Sequence, residues 1–205
     1  MHARLCLAAW FLVAATAAAQ EVVPAGPNVG WRSLATNDDR RRLRNWRDAW
    51  QGALRDVRDG DHAGEIARGG ALFDPDRSLP GVAPPPGDYD CRTVKLGAAR
   101  PGLLDYVAYP NFRCRIRLHN GQLHFTKLTG SQRPVGILLP DSSRRMVFLG
   151  TLILGDEQRA LRYGRDRERN LAGLLERVGP RRWRIALPYP HFESVLDLIE
   201  LTPRR

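Results

Sequence analysis

The chain has 205 residues, 43% of them hydrophobic, and a formal net charge of +10. That length suits one domain, or one domain with a helical appendage. The charge is almost wholly arginine, since Lys95 and Lys127 are the only lysines among 32 basic residues. The arginines are spread along the chain, often beside acids as in residues 38–44 and 165–169, and no nucleic-acid-binding motif accompanies them, which argues against a nucleic-acid partner.

The first residues carry one charge, Arg4, followed by the apolar run LCLAAWFLVAA over residues 5–15 and by Ala17, Ala18 and Ala19. A short positive start, an apolar stretch and an A-x-A site read as a cleavable signal peptide, removed after Ala19. The run is too short for a membrane-spanning helix, which needs roughly 20 apolar residues. Cys6 stands at the start of the run rather than after it, so a lipid anchor is not expected. No later segment is long and apolar enough to span a bilayer, so the mature protein is expected to be soluble, periplasmic or secreted. Taking residues 1–19 from 205 leaves 186, and losing Arg4 takes the formal charge from +10 to +9.

Residues 20–35, with Pro24, Gly26, Pro27 and Gly30, read as a flexible leader. Thr36 is placed as a helix N-cap, with Asp39 three residues on as a capping-box partner. Leu43, Trp46, Trp50, Leu54 and Val57 follow at spacings of 3, 4, 4 and 3. They form one apolar stripe on a helix, with Arg and Asp on the opposite face. Gly60 stops it, and a short second helix is expected over 63–68. So bulky a stripe must cover a sheet, with Trp46 and Trp50 at its centre.

Residues 74–88 form a loop rich in Pro and Gly, and strand character dominates from Tyr89 onward. The expected strands are 89–96, 112–118, 122–128, 135–139, 145–154, 174–178, 183–187 and 195–201. Asn120-Gly121 marks a hairpin turn. About eight strands at hairpin spacing predict a mainly β, α+β fold: an antiparallel meander or a small closed barrel with the N-terminal helix packed on it. The expected organisation is a single domain over 36–205, helical over 36–70 and β-rich over 88–203. Cys91 and Cys114 survive signal cleavage, an even number in an oxidising compartment, and are expected to pair. Closing that loop contributes roughly 3 kcal/mol in the chain-entropy model. Neither they nor His62, His119 and His124 show metal-ligand spacing, so no metal or other cofactor is implied.

Several segments stand together in one order: PPPGDYDCRTVKLG, LLDYVAYPNFRCRI, FTKLTGSQRPVGILLPD, RRMVFLGTLILGDE, YGRDRERNLAGLLERVGPRRWRIALPYP and ESVLDLIEL. In this the chain resembles the exported bacterial proteins grouped as domain of unknown function 4893, over about residues 31–203. The resemblance implies an exported single-domain protein and brings no activity, cofactor or catalytic residue with it.

Three places can carry chemistry. The first is KLTGSQRPVG, residues 127–136, a polar connection between strands. Arg133 is its expected anchor, because its planar fork grips a carboxylate or phosphate bidentately. Lys127 adds a point charge at the same mouth, Thr129, Ser131 and Gln132 add neutral hydrogen bonds, and Gly130 lets the backbone approach closely. An ordinary strand connection explains the segment as well. Ser131 as a nucleophile is disfavoured, since no G-x-S-x-G motif or neighbouring His supports it. The second is His191 beside Glu193, with Asp197 further on: an acid–base pair, or a rigid corner built by the prolines and aromatics around it. The third is an aromatic set, Tyr106, Tyr109, Phe112, Phe125, Phe148 and Trp183, which lines a ligand cavity or simply fills the core. A binding module for a small-molecule or acidic envelope component is the leading function. A structural or interaction protein of the envelope and a hydrolytic enzyme are the alternatives.

Overall fold

The computed structural model of the protein describes residues 22–23 and 29–204. The signal-peptide segment and its cleavage site near Ala19 lie outside the described residues. Four helices come first: α1 Trp31–Leu34, α2 Asn37–Arg44, α3 Trp46–Asp59 and α4 Ala63–Gly69. Eight strands follow: β1 Gly87–Ala98, β2 Tyr106–His119, β3 Gln122–Lys127, β4 Gln132–Ser142, β5 Arg145–Leu154, β6 Asn170–Gly179, β7 Arg182–Pro188 and β8 Ser194–Pro203. Each strand pairs antiparallel with its neighbours in sequence, and β1 pairs with β8, so the sheet closes into a barrel. Of the two outcomes left open by the strand pattern, a meander and a closed barrel, the structure takes the barrel.

Period-two alternation sends one set of side chains inward. Tyr89, Cys91, Cys114, Ile116, Phe125, Leu138, Phe148, Leu175, Ile185 and Ile199 form the apolar interior. Cys91 and Cys114 are joined by a disulfide inside it, with Cα atoms 5.9 Å apart, across the adjacent strands β1 and β2. A disulfide suits an oxidising compartment. Asn120 and Gly121 both have positive φ, 49° and 76°, as the tight turn joining β2 to β3 requires.

The helical stripe is one pattern in sequence but two helices in space. The chain turns at Asn45, which ends α2 and begins α3; Asn competes for its own backbone and so yields readily at such a bend. Leu43 on α2 packs on the outward faces of β4 to β6, against Ile137, Val147 and Leu149. Trp50, Ala53, Leu54 and Val57 on α3 pack on β1, β7 and β8, against Val94, Leu96, Ala186 and Leu198. Trp46, half-buried at the corner, packs against both sets. Two helices thus follow the curvature of a barrel that one straight helix would touch along a single line. Trp31–Leu34, within the stretch read as flexible leader, form a helical turn, and Trp31 Nε1 donates to Asp141 Oδ1 at 2.8 Å. At α2, Thr36 Oγ1 accepts from Asp39 N–H at 3.1 Å, as capping requires. The reciprocal contact passes through Tyr163, whose hydroxyl accepts from Thr36 N–H at 3.1 Å and donates to Asp39 at 2.5 Å.

One end of the barrel is plugged. Val82 enters the interior from the loop before β1, Trp183 Nε1 donates to its carbonyl at 2.8 Å, and Tyr89 Oη donates to Pro85 O at 2.6 Å. Burial pushes the Tyr89 hydroxyl up to about 12. No helix among the described residues is long and apolar enough to cross a membrane.

Candidate functional site

The other end of the barrel is open. A cavity of about 150 Å³ lies there, and all eight strands reach it. Its floor is the top of the apolar core, Leu152, Leu171, Leu187 and Ile199, and its rim carries Tyr109, Phe112 and Phe192. Tyr109 and Phe112 both face this mouth although three residues apart. The register between β1 and β2 shifts here, with Arg92 opposite Asn111 but Val94 opposite Ala108. The extra residue is a β-bulge on β2, which re-aims side chains next to a site, and Pro110, which cannot donate to a ladder, sits within it.

Both lysines of the chain line this cavity, and each is only 5% exposed. Lys95 follows Cys91 and Thr93 along the inward face of β1, opposite Asp197 on β8. Its ammonium lies 3.2 Å from Asp197 and 3.3 Å from Glu193. Burial opposes its charge, but the two carboxylates outweigh that and raise its pKa. Ser194 Oγ donates to the other Asp197 oxygen. Lys127 is held differently. Its ammonium donates to the Gln132 carbonyl at 2.8 Å and stands 3.7 Å over the Phe112 ring. No ion pair with a carboxylate forms at it among the described residues. Burial pushes its pKa down to about 8, with the charge of Lys95 adding to the effect.

The loop between β3 and β4 shapes this corner. Gly130 has φ 92°, and a Cβ there would meet Phe112 Cε1 at 2.8 Å and Lys127 Nζ at 3.0 Å. Glycine lets the loop close over the ammonium and the ring. Ser131 and Gln132 line the cavity. Thr129 does not; its hydroxyl accepts from Arg113 N–H at 3.0 Å and ties the loop to β2. Arg133 also points elsewhere. Its guanidinium donates to the carbonyls of Gly130, Gly155 and Glu157 at 2.9, 2.6 and 2.7 Å. It stitches this loop to the one after β5, and acts on the cavity through its charge on Lys127.

His191 and Glu193 part company. Glu193 turns into the cavity to reach Lys95, whereas His191 is exposed over an outer groove with Arg41, Arg42 and Arg167. Partial burial and then the Arg42 and Arg167 charges lower the His191 pKa. Among the six aromatics, Tyr109 and Phe112 line the cavity. Phe125 and Phe148 pack edge-to-face in the core, Trp183 seals the plugged end, and Tyr106 lies outside the barrel, stacked on His62 at 4.8 Å. The sequence signals that reach the site are therefore Lys127, Ser131, Gln132, Glu193, Asp197, Tyr109 and Phe112. Lys95 completes it. Its trace in the sequence is that the chain, with arginine everywhere else, places its two lysines here. Among the described residues no group of His, Cys, Asp or Glu is arranged to hold a metal ion.

A buried amine with a depressed pKa has a thermodynamic signature. Between about 8, the folded value, and the ordinary 10.5, the unfolded chain binds the Lys127 proton more firmly than the folded one. Stability therefore rises with pH across that window. Lys127→Met removes the cost of burying the charge. The variant is expected to be more stable than the parent by up to about 3 kcal/mol below pH 8, with the gap closing as pH approaches 10.5. Urea unfolding at pH 7 and pH 10 checks this.

The fold and site define an eight-stranded antiparallel barrel, plugged at one end and open at the other onto a cavity with two buried lysines. The chain belongs to the family described as domain of unknown function (DUF4893), whose model matches residues 31–201. No curated protein and no solved structure matches it.

Proposed function

We propose that this protein is a small-ligand binding module whose ligand enters the open end of the barrel, apolar part first, and presents an oxygen-bearing head to Lys127. The observation that carries this reading is the contrast between the two lysines. Lys95 is engaged by Asp197 and Glu193, whereas Lys127 meets a carbonyl and an aromatic face and has bonding capacity left toward the cavity. A space of about 150 Å³ over an apolar floor accepts a body about the size of benzene. The aromatic rim and apolar floor suit such a body, and the polar side chains of the wall, Lys127, Ser131 and Gln132 among them, are placed to orient its head.

Benzoate tests the reading. At about one hundred times its Kd it is expected to raise the unfolding free energy by about 2.7 kcal/mol. A carboxylate favours the protonated amine, so binding is full below the Lys127 pKa of about 8 and weakens as pH rises through it. Lys127→Met is expected to lose the effect, with its fold verified by near-ultraviolet circular dichroism. Stabilisation by benzoate that is equal in the parent and in Lys127→Met would overturn the proposal. So would the absence of any effect from benzoate, benzamide and benzyl alcohol alike.

A further inference from the structure

We propose that Lys127 is a nucleophile that captures a small aldehyde or ketone in the barrel mouth as a covalent imine. This rests on the binding reading above, and it names the ligand's head as a carbonyl group. The geometry is that of an amine prepared for addition. Lys127 is buried, is held by one hydrogen bond to the Gln132 carbonyl and by the Phe112 face, and opens onto the cavity. A second cation, Lys95, lines the same cavity, with Asp197 acting against it, and desolvation together with a neighbouring cation is how a lysine is kept partly neutral at moderate pH. The depressed Lys127 pKa agrees with that arrangement.

The step balances without a further reagent. The neutral nitrogen attacks the carbonyl carbon, a C–N bond forms, and the π pair of the carbonyl moves to oxygen. A proton passes from nitrogen to that oxygen, giving a carbinolamine. Further proton transfer and loss of water leave a C=N bond to Nζ. Amine and carbonyl thus become imine and water. Glu193, with its side chain 46% exposed and its other contact at Lys95, is the cavity carboxyl able to carry the proton between nitrogen and oxygen. The apolar floor and aromatic rim select carbonyl compounds with a hydrocarbon substituent over strongly hydrated ones.

The composition of the chain makes the test clean, because Lys95, Lys127 and the terminal α-amine are the only primary amines available. The folded protein is incubated with benzaldehyde or butanal and sodium cyanoborohydride, which reduces an imine to a stable secondary amine. Intact mass and peptide mapping then locate the product. One adduct at Lys127 is expected, forming faster as pH rises through about 8, slowed by benzoate, and lost in both Lys127→Met and Lys127→Arg. Labelling confined to Lys95 or the α-amine would overturn the proposal. So would labelling of Lys127 no faster in the folded chain than in urea. If no adduct forms while benzoate still stabilises the parent and not Lys127→Met, covalent capture falls and the binding reading stands. If benzoate also fails, both fall.

Discussion

Arg184→Met is expected to lower the unfolding free energy by about 3–5 kcal/mol, seen as a fall in the urea midpoint at unchanged slope. Arg184 stands on the outward face of β7, yet its side chain is 0% exposed because the segment after α4 lies over it. Its guanidinium donates to Glu176 Oε2 at 2.7 Å and to the carbonyls of Ala71, Leu72, Asp74 and Arg77 at 2.6–3.1 Å. Burial works against its charge and lowers its pKa, while Glu176 opposes that shift. One side chain thereby serves four backbone acceptors, two in the short 3-10 turn Gly70–Leu72 that follows α4 and two in the loop after it. Methionine fills similar space but removes the Arg184 donors from those carbonyls and leaves Glu176 with Arg145 alone, at 2.8 Å, and under-satisfied buried groups cost more than their bonds contributed. Removing Glu176 as well, in Arg184→Met with Glu176→Gln, should recover only part of the loss, because the Arg184 donors to the carbonyls are still missing and Arg145 loses its own carboxylate partner. Full recovery would mean that the ion pair alone matters.

Trp50→Ala is the second large effect, about 3–5 kcal/mol, as for other fully buried aromatics. Trp50 is 0% exposed at the centre of the cluster between α3 and the barrel. It packs edge-on against Trp46 with ring centroids 6.2 Å apart, and its Nε1 donates to Phe73 O at 3.2 Å. The Arg184 guanidinium lies 4.5 Å over its ring. The two sites therefore share partners, and the Trp50→Ala, Arg184→Met pair should be non-additive by 0.5–3 kcal/mol, roughly the range for residues in contact. Thermal and urea unfolding of the two single variants and the double variant measures the coupling. A cost under about 1 kcal/mol for Trp50→Ala would mean that α3 does not hold the barrel wall.

The strands were legible because the buried set alternates: Tyr89 and Cys91, Leu123 and Phe125, Trp183 and Ile185 each mark one face of a pleat. The turn at Asn120-Gly121 was legible because positive φ at two successive positions restricts the residue types. Closure was not, because the pairing of Cys91 with Leu201 and of Lys95 with Asp197 joins residues a hundred positions apart, and alternation says nothing about which strands meet. Nor was the bend at Asn45, since the spacings of Leu43, Trp46 and Trp50 fit a straight helix as well as two. In the candidate site, the polar loop pointed to Lys127, Ser131 and Gln132, but its most conspicuous residue, Arg133, bonds three backbone carbonyls. A guanidinium with five donors serves a loop's carbonyls as readily as a ligand's oxygens. Lys95 was hidden because it lies among Val94 and Leu96, whose burial under α3 gives the segment the look of plain core.

The pairing of the first strand with the last also governs the order in which the molecule can be completed. Until β8 has been made and released, β1 and β7 each present a row of unsatisfied amides and carbonyls, which invites pairing with another chain. A sheet whose final seam spans so much sequence is slow to shut. The disulfide between β1 and β2 can form well before that seam does, since its cysteines are only 23 residues apart. A nascent chain thus has an early, covalently secured hairpin that waits for its distant partner. A chain cut between His119 and Ser194 keeps the hairpin and loses the seam, and should persist as an open, adhesive sheet rather than as a smaller barrel.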